Sequence, residues 1–95
     1  MLIANLIEKQ RLRRKLNVVT PEGVFEVIYN GDGLGYEEVL VDDRIASRMT
    51  SLFWFVPRFE FPIGSLPATI EVSVAASMKI KGFSLTVAGE VVYSE

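Results

Sequence analysis

Three stretches alternate apolar and polar side chains with a period of two: Phe59-Glu60-Phe61-Pro62-Ile63, Ile70-Glu71-Val72-Ser73-Val74 and Phe83-Ser84-Leu85-Thr86-Val87. Successive side chains of a strand point to opposite faces, so each stretch reads as a strand with one dry and one wet face. The reading extends upstream in shorter pieces. Residues 16–20 lead into Thr20-Pro21-Glu22-Gly23, where proline fixes the first turn corner and glycine is free for the left-handed position, and the chain returns through residues 24–29. A Gly-rich loop, Asn30-Gly31-Asp32-Gly33-Leu34-Gly35, precedes a strand over residues 36–41. Asp42-Asp43 then spaces it two residues from residues 44–49, which suits a tight hairpin. The phase set by Ile80 switches at Gly82, which suggests a bulge, and Gly89 closes a last turn before residues 91–93. The expected fold is an all-β antiparallel sandwich, or a flattened barrel, of seven to eight short strands over residues 16–95.

Residues 1–15 read differently, as a separate N-terminal arm. Leu2, Ile3, Leu6 and Ile7 recur at helical spacing, and residues 8–15 are polar apart from Leu12, so a short amphipathic helix is expected. A helix this short needs a surface to pack on. The arm carries five basic residues against Glu8 (5 − 1 = +4), whereas residues 16–95 carry five basic and eleven acidic residues (5 − 11 = −6). The basic face of the arm, with Arg11 and Arg14, is therefore expected near an acidic body, and Leu2, Ile3, Leu6 and Ile7 against a sheet or a partner.

Composition excludes much chemistry. The chain has no cysteine and no histidine, which removes disulfides, thiol nucleophiles, Ser-His-Asp and Cys-His catalysis, and the nitrogen and sulfur donors of zinc sites. The length of 95 residues suits one domain with one modest core. Gly31-Asp32-Gly33-Leu34-Gly35 fits neither the dinucleotide fingerprint nor the P-loop, and a strand follows it where those motifs need a helix. Asp32, Glu37, Glu38, Asp42 and Asp43 lack the spacing of a calcium loop and read as solvated carboxylates. A carboxylate pair for glycoside hydrolysis is compatible with the residue types, but a chain this small offers little room for a cleft. No enzyme activity, cofactor or metal is expected. The apolar run 2–7 is short and precedes its basic residues, the reverse of a secretory signal, so a cytoplasmic location is expected.

The segment "SLFWFVPRFEF", residues 51–61, concentrates the aromatic residues. In residues 52–56 both phases are apolar: Phe53 and Phe55 point one way, Leu52, Trp54 and Val56 the other. One face belongs to the core. The other is covered within the chain, covered by a partner, or exposed as a binding surface with Trp54 as its anchor. Pro57 favours an edge or bulged position.

The order of these features resembles the Fas apoptotic inhibitory molecule family. The similar stretches are "GVFEVIYNGDGLGYEEVLVDDR" at 23–44, "LFWFVPRFEFPIG" at 52–64 and "GFSLTVAGE" at 82–90, about 75 residues in one register. Asp43 stands where the family usually has glycine, and Ser51 where it tends to have tryptophan. The resemblance implies a non-catalytic β-sandwich acting through protein contacts, in protection from death-receptor signalling and from protein aggregation under stress. The leading expectation is a protein-binding module using Phe53, Trp54, Phe55 and Arg58. The alternative is a peripheral membrane or assembly module docking through residues 1–15. A homodimer is compatible with either, and nucleic acid is disfavoured by the acidic body.

Overall fold

The computed structural model describes residues 2–31, 36–50, 58–75 and 79–95, without the side chains of Met49 and Thr50. The described chain is all-β, with two antiparallel sheets. The first has five strands in the order β1 (Ile3–Gln10), β2 (Arg13–Thr20), β3 (Gly23–Gly31), β4 (Tyr36–Val41) and β5 (Arg44–Thr50). The second has four, β6 (Arg58–Ile63), β7 (Leu66–Val74), β8 (Ile80–Val87) and β9 (Glu90–Ser94). Within each sheet, every strand pairs with its sequence neighbour.

The alternation that marks these strands in the sequence is the alternation that builds the core. Phe59, Phe61 and Ile63 of β6, Ile70 and Val72 of β7, and Phe83, Leu85 and Val87 of β8 are buried against Leu16, Val18, Val27, Tyr29 and Val39 of the first sheet. The ring of Tyr29 meets those of Phe59 and Phe83 at centroid distances of 5.7 Å, edge-on or tilted, so aromatic contacts join the sheets at mid-core. At the two sides of this sandwich-like body β1 approaches β9 and β5 approaches β6, and among the described residues neither couple is paired in a sheet.

Two-residue turns fix the register, and three of them need positive φ. Asp42 and Asp43 both have positive φ (50° and 67°), as do Ala88 and Gly89 (51° and 82°), the backbone that a type I′ hairpin requires. Gly64, at φ 61°, opens the Gly64-Ser65 turn between β6 and β7. The tight hairpin expected at Asp42-Asp43 is present. The bulge expected at Gly82 falls on its neighbour: Ser73 pairs with Gly82 and Val74 with Ile80, leaving Lys81 as the extra residue.

The helix expected in the first fifteen residues is replaced by a hairpin. Residues 3–10 form β1, which turns at Arg11-Leu12 and pairs with a β2 that begins at Arg13, three residues before the expected strand. This raises the strand count among the described residues to nine. A lone helix of this length is marginal, whereas a ladder with β2 places Ala4 opposite Val18 and Leu6 opposite Leu16. The helical spacing is the product of a bulge. Ile7 has no partner between Leu6 (opposite Leu16) and Glu8 (opposite Lys15), so the apolar phase breaks there and imitates a helix repeat.

Candidate functional site

The molecule has two unlike ends. One carries the turns at Pro21-Glu22, Asp42-Asp43, Gly64-Ser65 and Ala88-Gly89; the other carries the Arg11-Leu12 turn, the start of β8 and Glu95. Two surfaces stand out, the free edge of β1 and a groove at the Arg11 end.

Among the described residues, strand β1 pairs with β2 alone and exposes Ile3 (40%), Leu6 (37%) and Ile7 (50%). Other large exposed aliphatics among the described residues, Val24, Ile45 and Val91, lie singly on three different strands. Scattered apolar residues are ordinary surface, but β1 carries three along one eight-residue edge strand: Leu6 opposite the buried Leu16 on the core-facing side, Ile3 opposite Val19 on the outer face, and Ile7 at the bulge. Leu2 and Ala4 sit half-buried against the core and hold the strand in place.

At the Arg11 end, the bulge at Ile7 shifts the phase so that Lys9 stands opposite Arg14, whose side chain is buried between the sheets. The Arg14 guanidinium donates from Nε to Glu95 Oε2 at 2.6 Å and from Nη2 to Glu95 Oε1 at 3.0 Å. Its Nη1 donates to the Arg13 carbonyl at 2.9 Å and to the Gln10 carbonyl. Lys9 lies 3.4 Å from the same carboxylate, and Tyr93 donates its hydroxyl to Oε2 at 2.9 Å. These donors, Arg14 foremost, hold the Glu95 carboxyl down at about 2 against the opposing cost of burial. Beside this pair opens a groove of about 480 Å³ lined by Lys9, Gln10, Arg11, Arg14, Lys79 and Ile80. The Ile80 amide donates to the Arg11 carbonyl at 3.2 Å, tying the two walls together across the sheets.

Deeper at this end, Tyr29 donates its hydroxyl to Glu37 Oε1 at 2.5 Å with both residues fully buried. Burial first, and then the neighbouring carboxylate, push the Tyr29 phenol far above its ordinary range. Glu37 is thus a correction to the expectation of a solvated carboxylate. Of the other acidic residues weighed for calcium, Glu38 meets Arg48 and the Tyr36 hydroxyl, and Asp42 accepts the Glu26 amide. Asp32 lies outside the described residues. No group of three or more such side chains is placed to hold a metal among the described residues. A shallow groove on the second sheet is lined by Glu71 and Glu95, but each carboxylate faces an arginine, Arg58 and Arg14 respectively. Arg14 thereby holds the Glu95 carboxyl low, which disfavours it as the proton donor that glycoside chemistry needs.

Of the residues predicted from sequence to meet a partner, Phe53, Trp54 and Phe55 lie outside the described residues. Arg58 is exposed and pairs with Glu60 and Glu71. Of the N-terminal contacts, Ile3, Leu6 and Ile7 gather on the β1 edge, Arg11 is exposed in the groove, and Arg14 is buried. The basic segment does meet acidic groups: Lys9 and Arg14 meet Glu95, and Lys15 meets Glu26. Lys79, Tyr93 and Glu95 escaped the sequence reading because topology alone brings them to Arg14. Glu37 did carry a signal, since it shares its phase with the apolar Val39 and Val41. Among the described residues, no helix is long and apolar enough to cross a membrane. No protein-family model matches this chain, and no curated protein matches it.

Proposed function

We propose that this chain is a non-enzymatic, cytoplasmic β-sandwich that binds protein, and that the free edge of β1 is its contact surface. The observation that carries this reading is that Ile3, Leu6 and Ile7 are all exposed along β1, an edge strand that pairs with β2 alone among the described residues. An edge presents unsatisfied backbone donors and acceptors, and an extended segment of another protein can satisfy them while its side chains cover the exposed aliphatic residues on either face. The preferred occupant is an apolar strand exposed by a partly unfolded client. The bulge at Ile7 interrupts the ladder, so the added strand runs along the first half of β1 and Ile7 projects as an anchor beside it. The resemblance noted in the sequence, with its theme of protection from aggregation, points the same way.

The test is suppression of aggregation of a thermally unfolding client protein. Wild type suppresses it, and the double variant Ile3→Lys/Ile7→Lys does not, while its own stability changes by less than about 1 kcal/mol because both side chains are already exposed. Equal suppression by the variant, or none by wild type, contradicts the reading.

A further inference from the structure

We propose that the groove at the Arg11 end binds a phosphate group, carried by a soluble phosphomonoester or a lipid headgroup, between Arg11 of the first sheet and Lys79 of the second. The lining holds four cations, Lys9, Arg11, Arg14 and Lys79, and among the described residues the one carboxylate they engage is that of Glu95, so the balance of these groups is 4 − 1 = +3 in a chain of net charge −2. Lys9 and Arg14 share that carboxylate. Arg11 and Lys79, both exposed, form no ion pair with any described residue and face the groove from opposite walls.

Cations concentrated without counter-charge repel one another, and a fold keeps them together at a cost in stability unless an anion offsets it. Here the walls are already fixed. The Ile80 amide is bonded to the Arg11 carbonyl, and Arg14 is immobilised by Glu95 and two backbone carbonyls. The backbone at Arg11 and the Arg14 charge are thus held in place, so an incoming anion orders chiefly the exposed side chains of Arg11 and Lys79. A phosphate monoester carries roughly −1.5 to −2 at neutral pH and three acceptor oxygens, enough to engage a guanidinium on one side and an ammonium on the other. The volume of about 480 Å³ exceeds what one carboxylate fills and lies within the range of small-molecule sites. A nucleic acid strand fits poorly, because none of the described lining residues is aromatic and the chain outside the four lining cations has a net charge of −2 − 4 = −6.

The full chain, labelled with ¹⁵N, is titrated with inorganic phosphate at constant ionic strength. Saturable amide shifts confined to residues 9–14 and 79–81 are expected. Arg11→Gln/Lys79→Gln weakens this binding at least about tenfold, whereas Arg44→Gln at the opposite end changes it by less than about twofold. Both groove positions are exposed, so the variant keeps the wild-type thermal midpoint, and that midpoint is measured alongside. A second arm uses phosphatidylcholine vesicles with and without a phosphatidylinositol phosphate. Binding only to the phosphorylated vesicles, lost in the double variant, identifies a headgroup as the source. Binding of free phosphate without vesicle association identifies a soluble phosphomonoester. Unsaturable shifts spread over the surface with no vesicle binding, or equal affinity in the double variant, overturn the proposal.

Discussion

The side chains that decide most about this molecule are polar ones in places where polarity is costly. Arg14 is buried and bears a permanent charge, so its environment must supply acceptors or the fold loses several kcal/mol. Glu95 supplies two and the backbone supplies two more. Replacing Glu95 by Gln removes the countercharge, and the expected loss at neutral pH is about 1–3 kcal/mol in urea denaturation. The sign of the pH dependence follows from the carboxyl being held at about 2, below its ordinary 4.5. The unfolded chain takes up this proton first, so the contribution is complete above pH 4.5 and disappears as pH falls through about 2. Wild type and Glu95→Gln should therefore differ at pH 7 and converge at the acid limit; a difference that persists unchanged there contradicts the account.

Among the elements, the tight turns were the most legible and the first strand the least. A turn announces itself through local chemistry: Asp42-Asp43 and Gly89 stand where the chain needs positive φ, and the structure has it at both. Gly64 is the most constrained of these residues. Its φ of 61° disfavours any side chain, and a Cβ there would lie 2.2 Å from Oε1 of Glu22, whose carboxylate accepts the Ser65 amide at 2.9 Å. Gly64→Ala is expected to cost about 1–2 kcal/mol, read as a fall of at least about 4 °C in thermal midpoint. An unchanged midpoint would show that this turn relaxes freely. Strand β1 was misread because its bulge and its partner β2 are not local facts. Period arguments assume an unbroken ladder, and one inserted residue at Ile7 defeats them. The alternating strands β6 to β8 and their core residues were legible because burial on one face leaves its mark at every second position. The groove was legible only in half: Arg11 stood out in a basic run, while Lys79, isolated in the sequence, reaches it through the pairing of the second sheet.

At the scale of the whole molecule, the first fifteen residues change character between sequence and structure. They read as a separate basic arm packed on the body, yet they complete a sheet, neutralise an acidic carboxylate at Glu95 and leave an aliphatic edge on one side and a cationic groove at one end. Two antiparallel sheets packed on one core leave edges that a protein must protect, and β1 is bulged but otherwise open. The central claim is that this opening receives a partner strand. Amide hydrogen exchange along β1, measured with and without a heat-unfolded client, tests it most directly. In the free protein the β1 amides that do not pair with β2 exchange quickly, and the account predicts that they become protected when client is bound. Client binding that leaves the β1 amides unprotected and slows exchange elsewhere would contradict it.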